Sequence, residues 1–306
     1  MSKLLARYED IVDVSKIASP GNAGRLAEVI DLARQEKLAP ASDDGVKVLL
    51  LVIDEQNDFM PGIGSLGVPG ADQDIARLTR WMYDNAGNIT QVMCSLDTHY
   101  PAQIFHPIWW EDADGRNPDP FDKIKAADVA NDKWRPVYGA PKRSIDYVNA
   151  LADFKRQPLM IWPYHCLDGA AGHNLEAEFA NMVYFLAAAR ASQPALVKKG
   201  SDPFSEMYGI IRPEYNPSNW LNAPVLKAIE EFDRVVIAGE AASHCVAESC
   251  RQILEYFQGR PEVIQKISFL EDCASPVVGY EQLAADALAE FAAKGVQLVK
   301  STEFSL

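Results

Sequence analysis

Val46-Lys-Val-Leu-Leu-Leu-Val-Ile53, closed by Asp54, is the stretch from which the fold can be read. A near-continuous run of aliphatic and β-branched residues is how the central strand of a parallel sheet reads, because helices cover both of its faces. Asp54 then falls at the carboxyl end of a strand. In open α/β sheets, ligands bind beyond those ends.

Outward from this strand the pattern alternates. Residues 72–84 carry Ile75, Leu78, Trp81 and Met82 at helical spacing, and they lead into Ile89-Thr-Gln-Val-Met-Cys-Ser-Leu96, which also stops on an acid, Asp97, before Thr98-His99. Further strands are expected at 159–162, 195–198, 235–238, 266–270 and 296–300, separated by helices at 174–190, 222–232, 245–257 and 281–293. This alternation predicts an α/β fold, a three-layer doubly wound parallel sheet of about six strands with helices on both faces. Residues 1–45 read as an N-terminal helical extension, with Leu26, Val29, Ile30 and Ala33 on one face of a helix over 23–37. Residues 46–306 read as the main domain. It carries an insertion at 107–158, where Trp109, Trp110 and Trp134 lie among prolines and charges and a helix is expected at 146–154; the stretch is longer than ordinary connections.

The chain of 306 residues has a net charge of −14, which argues against nucleic acid or an anionic membrane as partner, since both would repel it. Five cysteines at irregular spacing make neither a disulfide framework nor a zinc ribbon, and they fit a reducing, cytoplasmic setting. The N-terminus lacks the apolar core of a secretory leader, and no apolar run is long enough to span a membrane. Gly62-Ile-Gly-Ser-Leu-Gly67 matches a dinucleotide-binding pattern in letters only. It begins eight residues past Asp54 and opens no helix, so no nucleotide cofactor is expected.

Val235-Val-Ile-Ala238 ends at Gly239, and Cys245 follows at a strand-to-helix junction. Such a thiol is either a buried structural cysteine or a nucleophile facing helix N-terminal N–H groups. The ends of successive strands also carry Asp54, Asp97 with His99, His165 and Lys199. Of five histidines, His99, His106, His165 and His244 lie close to these ends, and only His173 reads as apart from them. The coincidence of these residue types at one edge of the sheet is a stronger signal of a site than any one of them alone.

Five segments in order complete the picture: Asp54-Glu-Gln-Asn-Asp58-Phe59, Ser95-Leu-Asp97-Thr-His99, Trp162-Pro-Tyr-His165-Cys-Leu-Asp-Gly169, Lys198-Lys199-Gly200-Ser-Asp202 and Gly239-Glu-Ala-Ala-Ser-His-Cys245. Together they resemble the nicotinamidase-related cysteine hydrolases of the isochorismatase-like superfamily over residues 46 to 300. The resemblance implies a triad of Cys245 as nucleophile, Asp54 as proton-transferring partner and Lys199 as the cation that lowers the thiol pKa. It implies an oxyanion hole on the amides of Ala241 and Cys245, with a cis peptide between Glu240 and Ala241. Phe59 and Trp162 would sandwich the substrate ring. Asp97, His99 and His165 would ligate a divalent metal (zinc, iron or manganese), with His106 an approximate match to a fourth ligand. The activity implied is hydrolysis of a small nicotinamide-like carboxamide through a thioester, in a homo-oligomer. Hydrolysis of another small amide, carbamoyl or ureido compound without metal, or a non-catalytic binding protein on the same fold, are the competing readings. Ala242-Ser243 and Glu240 depart from the family pattern.

Overall fold

A computed structural model describes residues 4–20, 24–154 and 156–306. In chain order the principal elements are α1 (Leu26–Ala33), β1 (Val48–Ile53), α2 (Ala71–Asp84), β2 (Gln91–Asp97), α3 (Pro141–Asp153), α4 (Ala177–Ala189), β3 (Ala195–Lys199), α5 (Ala223–Glu231), β4 (Arg234–Gly239), α6 (Cys245–Tyr256), β5 (Ile267–Leu270), α7 (Glu281–Lys294) and β6 (Gln297–Val299). The six strands form one parallel sheet in the order β6-β5-β4-β1-β2-β3.

β1 is buried along its whole length, and its side chains alternate between two cores. Val48, Leu50 and Val52 pack with Ile75 and Leu78 of α2 and Phe179 and Met182 of α4. Leu49, Leu51 and Ile53 pack on the other face with Ile229 of α5, Ile253 of α6 and Phe291 of α7. Each such side chain contributes roughly 1.5–3 kcal/mol relative to exposure, which is why the most apolar stretch of the sequence occupies the centre of the sheet.

The chain runs outward from β1 through β2 to β3, then returns to β4 and runs outward the other way. Strand order therefore reverses between β1 and β4, where a ligand crevice opens in sheets of this kind. Register places Ile53 opposite Gly239 and Asp97 opposite Lys199, so the carboxyl ends of four strands lie level. Gly239 has φ of +116°, and a Cβ there would lie 2.1 Å from the Ile53 carbonyl oxygen. Only glycine lets β4 leave the sheet this close to β1.

Three sequence expectations are corrected. Residues 159–162 do not join the main sheet: Leu159–Met160 pairs antiparallel with Lys123–Ile124 in a separate ribbon that ties the insertion to the segment carrying Trp162. The insertion has a core of its own, built from residues such as Trp109, Trp110, Tyr147 and Leu151, and α3 starts at Pro141 rather than 146, with proline in the first turn where its missing N–H costs nothing. The N-terminal helix spans Leu26–Ala33 rather than 23–37, and Ala23 lies outside the described residues. Its last turn tightens through bonds from Gln35 N to Leu32 O and Glu36 N to Ala33 O, and the Glu36 carboxylate accepts the Leu5 and Ala6 amides. Val29 and Ala33 are buried, whereas Leu26 and Ile30 stay 37% and 38% exposed, so half of the expected apolar face remains in solvent. Among the described residues no helix is long and apolar enough to cross a membrane.

Candidate active site

Asp54, one residue past β1, adopts φ of +48°, a left-handed conformation that Asp tolerates better than most residues. Ser95 of β2 grips it twice, accepting the Asp54 N–H at 3.0 Å and donating to the Asp54 carboxylate. Lys199, the last residue of β3, is completely buried. Its Nζ lies 2.8 Å from Asp54 Oδ2, 3.0 Å from Asp97 Oδ1, 3.2 Å from the Met207 carbonyl oxygen and 3.5 Å from Cys245 Sγ. Burial opposes the lysine's charge, but Asp54 and Asp97 outweigh it and hold the ammonium well above its usual range. The lysine is a fixed cation between two carboxylates.

Cys245 is the first residue of α6 and is buried. Its thiol is pushed well above its usual range by burial; Lys199 pulls the other way, but Asp54 and Asp97 reinforce the burial. At rest Cys245 is therefore a thiol, because the expected lysine effect is outweighed by desolvation and two nearby acids. Burial also raises Asp54, with Lys199 counteracting it, which makes Asp54 a stronger base than a surface carboxylate. The peptide between Glu240 and Ala241 is cis. Among the described residues the amides of Ala241 and Cys245 have no acceptor, while their neighbours His244 and Val246 both donate to the Ala241 carbonyl. Two free N–H groups thus sit beside the thiol.

A cavity of about 40 Å³ opens over Cys245, lined by Phe59, Trp162, Tyr208, Ala241 and His244 among others. It is narrow and largely apolar. Trp162 is held by its indole N–H, which donates to Glu206 at 2.7 Å and to the Tyr208 hydroxyl at 3.1 Å. Phe59 packs edge-on to His165, with ring centroids 5.9 Å apart.

Asp97, His99 and His165 converge at one end of this cavity, their ligand atoms within 4.8 Å of one another. Each imidazole is oriented through Nδ1: His99 to the Gly200 carbonyl at 3.1 Å, His165 to that of Pro163 at 2.8 Å, and His106 to those of Tyr100 and Pro101, both at 3.1 Å. A carbonyl only accepts, so the proton sits on Nδ1 and the Nε2 lone pairs are left free. His99 Nε2 and His165 Nε2 then lie 2.9 and 3.6 Å from Asp97 Oδ2. Acceptors this close repel unless a cation lies between them, and the spacing suits ligands of one metal at about 2.0–2.2 Å each. Burial lowers His99, and it lowers His106 to about 3, so both rings are neutral ligands at pH 7. Among the described residues His106 Nε2 is buried without a partner, but His106 lies outside the group formed by Asp97, His99 and His165, its ring centroid 6.0 Å from that of His99. Gly200 makes the cluster compact: its φ is +81°, and a Cβ would meet His99 and Asp97 at 2.7 and 2.8 Å. The residues present fit a divalent metal.

No family model and no curated protein matches the chain. Solved structures do. A nicotinamidase/pyrazinamidase of Acinetobacter baumanii is 19% identical, with 85% of this chain and 99% of that one covered, at a TM-score of 0.57. The yeast nicotinamidase bound to the inhibitor nicotinaldehyde is 18% identical, with 83% and 99% covered, also at 0.57. A protein of L. infantum in complex with nicotinate is 18% identical, with 86% and 98% covered, at 0.52. The fold is that of the nicotinamidases. On that nicotinamidase fold Phe59, Asp97, His99, Trp162, His165, Ala241 and Cys245 line one cavity; Lys199 touches Asp54 and Cys245, and His106 packs against His99.

Others were not foreseen. Glu206, buried, binds Trp162, Tyr208 and, at 3.2 Å, the Tyr147 hydroxyl, and burial pushes it up to about 7. It lies on the irregular loop after β3, where no periodicity marks it; its place just past a strand end was the available signal. His173, read as apart, packs beneath the site, with Nε2 3.0 Å from Thr98 Oγ1 and its carbonyl accepting from Gln56 at 2.7 Å.

Proposed function

We propose that the chain is a cysteine-dependent amidohydrolase acting on a small aromatic carboxamide of the nicotinamide kind. The observation that carries this reading is Lys199 Nζ between Asp54 and Cys245, at 2.8 and 3.5 Å, on the floor of an aromatic cavity. Phe59 and Trp162 hold the substrate ring and keep its carboxamide over Cys245. As Sγ attacks the carbonyl carbon, Asp54 takes the thiol proton, so the buried thiolate never has to exist free. The oxygen that gains charge meets the Ala241 and Cys245 N–H groups, already oriented and undamped by solvent. Asp54 returns the proton to the departing nitrogen, the C–N bond breaks and ammonia leaves a thioester. Asp54, again a carboxylate, then takes a proton from water as it attacks the thioester; the acid is released and the thiol re-forms. Throughout, Lys199 balances Asp54 as its charge changes.

Asp97, His99 and His165, with His106 beside them, would hold a zinc, iron or manganese ion, which when bound supplies a Lewis acid for a ring nitrogen. Gln56 keeps Asp97 in place, accepting its N–H at 2.7 Å and donating to its carbonyl at 2.9 Å.

The test is ammonia release from nicotinamide and from a panel of carboxamides, carbamoyl and ureido compounds. Cys245→Ala should lower kcat/KM by about 10³-fold or more while leaving the melting temperature nearly unchanged. No ammonia from any member, together with no labelling of Cys245 by an electrophile, would overturn the reading in favour of a binding protein.

A further inference from the structure

Behind the cavity lies a second group of buried acids that the chemistry above does not use. Glu55, Asp74 and Glu240 are at most 1% exposed, and none lines the cavity. Among the described residues four of their oxygens have no partner: both of Glu55, Oδ2 of Asp74 and Oε1 of Glu240. The one cation against them among the described residues is Arg77 of α2, which binds Asp74 Oδ1 and the Asp272 carbonyl. The other groups around them, Asp54, Cys94 of β2, Glu176 before α4 and Cys273 after β5, add no positive charge.

Glu240 is also stitched into the turn that carries Ala241. Its N–H donates to Ile53 O at 2.7 Å, and its Oε2 accepts the Ser275 N–H at 3.2 Å; Ser275 O in turn accepts the Ala242 N–H at 2.8 Å. The geometry points to Glu240 as a positioning residue: a carboxylic acid that keeps its proton, donates it to Asp74 and so clamps the Glu240–Ala241 turn from behind. This rests on the reading of that turn as an oxyanion hole. A carboxyl has one donor to give only when protonated. Arg77 occupies one oxygen of Asp74, and an acid proton from Glu240 satisfies the other together with Glu240's own orphan. Burial, then Glu55 and Asp74, raise Glu240 well above its usual range, and burial, Asp74 and Glu176 do the same to Glu55. A bare charge in this setting would be uncompensated.

The sign follows from linkage. A carboxyl raised in the folded state stabilises fully below the unfolded value of 4.5 and loses that contribution as pH climbs through its folded value. Glu240→Gln, which keeps a donor toward Asp74 and an acceptor for Ser275, should therefore show a shallower fall of melting temperature from pH 5 to 9 than the natural chain. Infrared spectra of the full-length protein at neutral pH should contain a protonated-carboxyl carbonyl band that shifts in heavy water and shrinks in Glu240→Gln. Turnover should survive in Glu240→Gln within about twofold and fall about tenfold or more in Glu240→Ala at unchanged KM. Absence of the band, equal pH dependence in the two proteins, or equal loss of turnover in Gln and Ala variants would overturn the proposal. So would metal analysis showing a cation lost in Glu240→Gln but kept in His165→Ala. The band and the melting curves need no turnover, so they decide the role of Glu240 even if no amide is hydrolysed.

Discussion

Asp54 and Asp97 on the cavity side and Glu55, Asp74 and Glu240 behind it are the same functional group in two settings, separated by the thickness of one turn. In front, a completely buried lysine sits within 3.0 Å of both carboxylates, and Asp97 faces the imidazoles as well. Behind, among the described residues, Asp74 alone of the three carboxyls meets a cation, Arg77, whose side chain is 37% exposed. A buried carboxylate must be matched by a cation or surrender its charge by holding a proton. The front group is built for the first solution, which keeps a base available for proton transfer. In the rear group Glu55 and Glu240 are built for the second, which turns such an acid into a hydrogen-bond donor and makes it scaffolding.

Removing the cation from each side tests that contrast. Lys199→Met should have the larger effect, because it leaves Asp54 and Asp97 facing each other unpaired. Breaking such a buried pair costs about 3–5 kcal/mol, read as a lowered denaturant midpoint, and amide hydrolysis should fall by about 10²-fold or more. If the variant melts like the natural chain, the two carboxylates do not depend on the lysine and the contrast fails. Arg77→Met should cost less, about 1 kcal/mol, since the arginine is partly in solvent. Hydrolysis at neutral pH should change less than twofold. An effect of Arg77→Met on stability equal to that of Lys199→Met would show that the rear acids are ionised like the front ones.

Much of this arrangement was legible in the residues. Val48 to Ile53 carried the central strand because burial on both faces leaves no polar position, and Asp97 and Lys199 could be placed because each ends a predicted strand. Leu159 to Trp162 looked the same over four residues but pairs elsewhere, since a short apolar run does not encode its partner. β3 shows the converse: at the sheet edge Leu196 and Lys198 are exposed, so its pattern is weak although Lys199 at its end is completely buried. Glu206 could not be foreseen because its three donors come from Tyr147, Trp162 and Tyr208, brought together only by tertiary packing. Glu240 was visible as an acid in an apolar turn, but its neighbours Glu55 and Asp74 lie 185 and 166 residues earlier in the sequence.

The insertion's separate core has a consequence for how the cavity opens. Phe105 and Trp162, which line the cavity, belong to the insertion's cluster rather than to either core of the sheet. Hydrophobic clusters of this kind are the units in which native proteins unfold piecemeal, each with its own opening free energy. The aromatic wall and the 123–160 ribbon are therefore one cooperative unit, distinct from the strands that hold Asp54, Lys199 and the thiol. Amide exchange should run faster in the wall than in β1, so that the binding chamber can breathe while the reactive groups stay in register.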